Sequence, residues 1–182
     1  MEETIHINRR VIEKCLEGDM KAQYQLYQQY AKAMFNIAIR FLNNKMDAED
    51  ILQESFVTAF NRLGELQNRD LFGSWLKRIV INNCIDLQRK RKIKFEEIDE
   101  QRHDAADEIE SGTQEIDPAL VHSAIRELPA KGRTVLVLRA LEEYSHKEIA
   151  GMLDISVSTS KTQYSRALTL LNRKLKGKID VD

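Results

Sequence analysis

The strongest constraint on this chain lies in the fifty residues from Leu128 to Gly177, which read as a helix-turn-helix. Ser145-His146-Lys147-Glu148 has the form of a capping box. A hydroxyl takes a free N–H group at a helix start, and a glutamate three residues later answers it. Ile149, Ala150 and Leu153 then give one short apolar face. Asp154 stands where the chain must turn sharply, and aspartate tolerates the left-handed conformation better than most residues other than glycine. Ile155 plugs the turn and Ser156 can cap a second helix. That helix carries Ser158, Thr159, Ser160, Lys161, Thr162, Gln163, Tyr164 and Arg166 around an expected buried stripe of Val157, Ala167 and Leu171. A polar, hydroxyl-rich face with a few cations suits a helix lying in a DNA major groove.

The net charge of −1 looks wrong for such a chain until it is divided. Residues 96 to 117 hold ten acids against a single base, Arg102, and so carry −9. The remaining +8 splits evenly, +4 before this segment and +4 after it. Two mildly basic modules therefore flank an acidic connector, a distribution that speaks to partners rather than to fold. With only two prolines and seven glycines in 182 residues, the chain favours helix throughout. No apolar run approaches the roughly 18 residues that span a bilayer. Met1-Glu2-Glu3-Thr4 lacks the charged and apolar segments of a signal peptide, so a cytoplasmic location is expected. Cys15 and Cys84 lie in apolar helical patterns, and two reduced, partly buried thiols are expected rather than a disulfide. His6, His103, His122 and His146 show no metal-ligand spacing, and no metal or cofactor is expected.

Four helical patterns fill the first module: Ile5 to Glu17, Met20 to about Phe41, Asp47 to Leu63, and Asp70 to about Lys92. Gly18-Asp19 breaks the first from the second, and Asp47 is the expected N-cap of the third. Phe72, Trp75, Leu76, Ile79, Ile85 and Leu87 of the fourth should face mostly inward. The acidic segment, with Ser111-Gly112-Thr113 at its centre, reads as a flexible linker. Asp117-Pro118 restarts order as an N-cap followed by proline at the first helical position, and Leu128-Pro129 is expected to repeat the device. Val135, Leu136, Leu138 and Leu141 continue the apolar face. The fold class is therefore all-α, with two small helical domains at 1–95 and 117–178 joined by a linker at 96–116.

Two helices of the first module carry more than a fold requires. If Leu52, Phe56 and Phe60 face inward, Asp50, Gln53, Glu54 and Val57 lie outside. On spacing alone, that face is either a solvated acidic surface or a dock for a basic partner. The fourth helix ends in Arg89-Lys90-Arg91-Lys92, followed by Lys94. Five cations in six residues exceed what the helix dipole needs, and they suit a track of phosphates. Asn82 and Asn83 upstream could read base edges, and the polar loop 66–71 could hold an unstacked base.

Taken together, these motifs resemble the extracytoplasmic-function sigma factors, the bacterial group that keeps only sigma regions two and four. Asp47-Ala-Glu-Asp50-Ile-x-Gln53-Glu54-x-Phe56 is similar to the family's polymerase-binding helix. Phe72-x-x-Trp75-Leu-x-x-Ile79-x-x-Asn82-x-x-x-Asp86-x-x-Arg89 is similar to its −10 helix. Leu128-Pro129-x-x-x-Arg133, the capping box with its apolar face, and Ser160-Lys161-Thr162-x-x-x-Arg166-Ala167 are similar to region four. The chain departs from the family at Asp154 and Ser158, where glycine is common, and at Leu168, where many members carry arginine; no −35 sequence is inferred.

The resemblance implies a mechanism. Asp47, Asp50, Gln53 and Glu54 would dock on the basic coiled coil of the largest subunit of core RNA polymerase. Asn68, Arg69, Asn82, Asn83, Asp86, Arg89, Lys90, Arg91 and Lys92 would capture the −10 element of promoter DNA, with one base flipped out. Ser158, Thr159, Lys161, Thr162, Gln163 and Arg166 would grip the −35 duplex. The acidic linker would lie near the RNA exit path; apart from the resemblance, its charge leads us to expect that in the free protein it covers the basic surfaces. The resemblance also implies an anti-sigma partner, membrane-anchored in many relatives. No catalytic residue and no small-molecule substrate is expected: the chain lacks a phosphate-binding Gly-x-x-x-x-Gly-Lys loop and a nucleophile elbow. The rival reading is a free-standing helix-turn-helix regulator acting as a dimer. It leaves the Asp47–Phe56 and Trp75–Lys94 helices unexplained, and no heptad seam supports it.

Overall fold

The computed structural model describes residues 2–95 and 117–179. They form eight α-helices with no strand among the described residues, and divide into two compact units, Met1–Lys92 and Ile93–Asp182. The all-α reading stands. The acidic segment 96–116 and the roles expected of it lie outside the described residues.

In the first unit α1 spans Glu2–Leu16, α2 Met20–Leu42, α3 Lys45–Asn61 and α4 Phe72–Phe95. Gly18 adopts φ +85° and Asp19 caps α2, accepting from the backbone N–H groups of Lys21 at 2.8 Å and Ala22 at 3.3 Å. The two asparagines between α2 and α3 divide the work of the joint. Asn43 closes α2 in the left-handed region at φ 52°, and the Asn44 side chain accepts from the Asp47 N–H at 3.1 Å. The cap of α3 is therefore Asn44, not Asp47 as expected. Asparagine caps as well as aspartate, so the helix gains a turn at its start and Asp47 moves inside it. A 3-10 turn at Leu63–Glu65 and another at Arg69–Leu71 occupy what sequence spacing assigned to the ends of α3 and α4.

The core of this unit gathers Ile12, Leu26, Phe41, Leu63, Phe72, Leu76, Ile81 and Cys84, all essentially without solvent contact. Trp75 is only half-buried, its ring 6.2 Å from that of Phe72. Gly73 explains itself by proximity: a Cβ there would sit 2.9 Å from the Tyr30 ring. Both cysteines are free and buried, as expected. Burial pushes the Cys84 thiol up to about 12; burial and then Asp19 push Cys15 to about 11, so neither is a ready nucleophile.

In the second unit α5 spans Pro118–Arg126, α6 Ala130–Leu136, α7 His146–Leu153 and α8 Val157–Ile179, with a π-helical turn at Val137–Leu141. Asp117 caps α5 through the Ala119 N–H at 2.8 Å, with Pro118 at the first position. Pro129 does not repeat that arrangement. It occupies the cap position of α6 itself and makes no side-chain cap bond. Arg133 compensates for the abrupt joint. Its buried guanidinium donates to the carbonyls of Arg126 at 3.1 Å and Leu128 at 2.9 Å, satisfying groups that the end of α5 leaves open. Desolvation lowers the pKa of this arginine from its ordinary value.

The capping box at α7 is formed on both sides. The Ser145 hydroxyl accepts from the Glu148 N–H at 3.3 Å, and the Glu148 carboxylate accepts from the Ser145 N–H at 2.8 Å. Ser145→Ala should cost about 1 kcal/mol. That loss should lower the calorimetric transition of the second unit by roughly 4–8 °C, and an unchanged transition would show that solvent replaces the cap without penalty. Asp154 ends α7 at φ 55°, ψ 49°, the left-handed turn expected of it, and Ser156 caps α8 through the Thr159 N–H at 2.9 Å.

One face was misread. Val157 is 40 % exposed, and Leu141, at the end of the π-helical turn, is also exposed. Ser160 is fully buried and heads the inward stripe with Ala167, Leu171 and Leu175. The 3.6-residue period puts 157 at the same angle as 175, so it is its place as the first residue of α8, not its side of the helix, that leaves Val157 exposed.

Candidate polymerase- and DNA-binding surfaces

Helix α3 presents two clearly separated faces. Ala48, Ile51, Leu52, Ser55, Phe56 and Ala59 are buried. Asp50, Gln53 and Glu54 are exposed and have no ion pair or side-chain hydrogen bond among the described residues. Met46 at 74 % and Val57 at 59 % exposure flank them. Two carboxylates and an amide bordered by open apolar side chains form a surface suited to a cationic, partly apolar helix. Asp47 differs from the other acids. Its two oxygens accept from the Arg91 guanidinium of α4, each at 2.6 Å, and its side chain is only 14 % exposed. The sequence expectation put Asp47 on polymerase and Arg91 on phosphate; here each occupies the other.

On α4, Asn82, Asp86, Arg89 and Lys90 are exposed, and 82, 86, 89 and 90 recur at helical spacing along one stripe. Asp86 and Arg89 approach to 3.5 Å. Asn83 borders that stripe and is half-buried. Its amide donates to the Ser55 hydroxyl of α3 at 3.0 Å, a tie between the two helices. Gln88 donates to the Phe41 carbonyl of α2 at 3.0 Å, a second tie. Lys92 continues the helix.

The loop before α4 is more structured than a polar linker. The Asn68 side chain accepts from the Asp70 N–H at 3.0 Å, the Arg69 guanidinium donates to the Leu66 carbonyl, and Asp70 pairs with Arg9 of α1 at 2.8 Å. Asn68 stays exposed while Arg69 is half-buried. The loop is thus a preset shelf beside the start of α4.

In the second unit, α8 exposes Ser158, Lys161, Thr162 and Arg166, with Thr159 and Gln163 half-buried. The hydroxyls at the helix start bond among themselves: Ser156 Oγ lies 2.7 Å from Ser158 Oγ and 2.8 Å from Thr159 Oγ1. Thr162 donates to the Ser158 carbonyl at 3.0 Å, leaving an oxygen that can still accept. Lys161, Gln163 and Arg166 have no side-chain hydrogen bond among the described residues, so their donors are open to an external partner.

Sequence reasoning missed the contact that joins the two helices of the turn. His146 Nδ1 lies 2.9 Å from the buried Ser160 hydroxyl, and the imidazole stands edge-on to Tyr164 at 5.6 Å. A serine seven residues before Ala167, in line with it, was the available signal. Burial first, then Arg139 and Lys161, hold the His146 pKa below its ordinary 6.5. Below that value the unfolded chain takes up a proton that the folded unit resists, so stability declines as pH falls and levels off below the folded pKa. Calorimetry of the second unit between about pH 8 and pH 5 should show this decline, and His146→Asn should remove most of the slope. A slope untouched by the substitution would contradict it.

Residues 26–93 match the family profile for sigma-70 region 2, and residues 119–171 that for sigma-70, region 4. The RNA polymerase sigma-E factor of Streptomyces avermitilis is 32 % identical over 82 % of this chain and 82 % of its own length. The ECF RNA polymerase sigma factor SigW of Bacillus subtilis is 29 % identical over 92 % of this chain and 96 % of its own. Among solved structures, the sigma factor RpoE of Bartonella quintana, crystallised with the anti-sigma factor NepR, has a TM-score of 0.54 at 22 % identity, covering 84 % of this chain and 96 % of that one. It supports the fold. With region 2 and region 4 in order on one chain, the protein belongs to the extracytoplasmic-function sigma factors of RNA polymerase, which direct promoter-specific initiation of transcription.

Proposed function

We propose that the chain divides its work among residues 1–95, which bind core polymerase and the −10 element, an acidic linker at 96–116, and residues 117–178, which bind the −35 element. Asp50, Gln53 and Glu54 dock on a basic coiled coil of the largest polymerase subunit, with Met46 and Val57 supplying apolar contact. Asp47 turns away from this face to pair with Arg91 of α4. The exposed stripe of α4, Asn82, Asp86, Arg89 and Lys90, meets the −10 strand. Asn83 and Arg91 hold that stripe in place, Lys92 adds charge beyond it, and the shelf at Asn68 and Arg69 borders an unstacked base. Stacking and pocket contacts offset the unpairing of that base, a cost of about a few kcal/mol. Lys161, Gln163 and Arg166 reach the −35 base edges and phosphates. Ser158, Thr159 and Thr162 lie by the backbone at the N-terminus of α8.

The observation that carries this reading is the set of open polar side chains on two separate helices. Asp50, Gln53 and Glu54 on α3 and Lys161, Gln163 and Arg166 on α8 have no internal bonds among the described residues. A free-standing regulator would need only the second set. The protein acts in the cytoplasm as a binding subunit, and the bond-forming chemistry belongs to the polymerase. No helix among the described residues is long and apolar enough to cross a membrane. An anti-sigma partner, as in the Bartonella complex, would hold the protein inactive by covering these faces.

Titration of the labelled protein with core RNA polymerase tests the reading. Saturable one-to-one binding that displaces another sigma factor is expected. Absence of saturable binding would refute it.

A further inference from the structure

Asp47 and Arg91, 44 residues apart, form the one bidentate ion pair that joins α3 to α4 among the described residues. The carboxylate is fixed from its own side: it sits in the first turn of α3, where the helix dipole favours an anion, and Asn44 holds its N–H. The guanidinium matches it with two parallel donors, a geometry that fixes orientation as well as distance. Along α4 the ties to neighbouring helices fall at Asn83, Gln88 and Arg91. Among the described side chains Arg91 comes last, and it lies across the helix from Asn82, at the start of the exposed stripe Asn82, Asp86, Arg89, Lys90.

We propose that Asp47 is a positioning residue for the −10 face: by gripping Arg91 it sets the rotation and direction of the last turns of α4, and with them the placement of Arg89 and Lys90. Resting on the region-two reading of α4, this removes Asp47 from the polymerase contact and Arg91 from the phosphate contact, and gives the two one joint task. Exposure supports the assignment. Arg91 remains 47 % exposed, yet both of its bonded donors point to Asp47, which at 14 % exposure has little surface left to offer a partner. A lysine at 91 would keep the charge and lose the fork.

The test uses the full chain assembled with core polymerase on a promoter fragment from which the unaltered holoenzyme initiates. Three variants are compared: Asp47→Asn, Arg91→Lys and the double change. Two quantities are read, the affinity for core and the formation of open complexes by permanganate reactivity of unpaired thymines. Core affinity is expected to stay within about twofold, while open-complex formation falls about five- to thirtyfold in each single variant, in the middle of what couplings between contacting residues produce. The double variant is expected to be no worse than either single, because both remove the same grip.

Loss of core affinity in Asp47→Asn would overturn the proposal by making Asp47 a docking residue. Full open-complex formation in Arg91→Lys would overturn it by showing that charge alone suffices at 91. Increased opening in Asp47→Asn would overturn it too, since the pair would then restrain Arg91 rather than place its neighbours. If the unaltered protein itself opens no fragment with core, the region-two reading fails first, and that failure is visible before any variant is compared.

Discussion

Changing Asp50 and Glu54 together to lysine is expected to weaken binding to core RNA polymerase at least about 100-fold, since a truncated buried charge contact alone costs roughly 2–5 kcal/mol. Reversal goes further than truncation, because it sets like charges against a basic partner. The helix itself should tolerate the change. Both side chains are exposed without internal partners among the described residues. Lysine has nearly the helix propensity of glutamate and exceeds aspartate. The core of the first unit, built on Leu52, Phe56 and Ala59 of the same helix, is untouched. Core titration, with circular dichroism to verify the fold, checks this. Unchanged affinity would mean that the acidic face is merely solvated, the bland alternative its spacing also allowed.

Arg133→Met should destabilise the second unit by about 2–4 kcal/mol, because the buried Leu128 carbonyl and the part-buried Arg126 carbonyl lose their donor at roughly 1–3 kcal/mol each. An opposing effect exists: burying a guanidinium is costly, as its lowered pKa shows, and methionine avoids that cost. The carbonyls of Arg126 and Leu128 decide the sign, since methionine offers neither of them a donor in place of the guanidinium. A fall of more than about 10 °C in the transition of the second unit is expected. Binding of a −35 duplex should be lost with it at physiological temperature. An unshifted transition would show that water reaches both carbonyls.

Local signals in the sequence were the readable ones. The capping box at Ser145, the left-handed Asp154, the Ser156 cap and the Asp117-Pro118 start all depend on residues within four positions of each other, and all are present. The outward set on α3 was equally legible, since a 3.6-residue period assigns it once Leu52 and Phe56 are inside. Pairings across long separations were not. Nothing in the order of residues announces that Asp47 and Arg91 share two hydrogen bonds, or that Asn83 spends its amide on Ser55. Choices between adjacent good caps were also hidden, as at Asn44 and Asp47, where tertiary fit rather than residue type decides. The misplacement of Val157 had a similar origin. Sequence pattern favours an apolar residue at a helix start as core and a serine as surface, but here the buried Ser160 finds a partner in His146 while Val157 stays exposed. Polar residues inside a core become visible only with their partner.

Run-off transcription with core RNA polymerase, with and without this protein, on a pool of genomic fragments tests the central claim most directly. The proposed division into two DNA-binding units and a polymerase-docking helix predicts new transcripts that require the protein and share two separated elements upstream of their starts. No such transcripts, together with tight binding to a duplex site in the absence of polymerase, would contradict the account and make the chain a free-standing regulator.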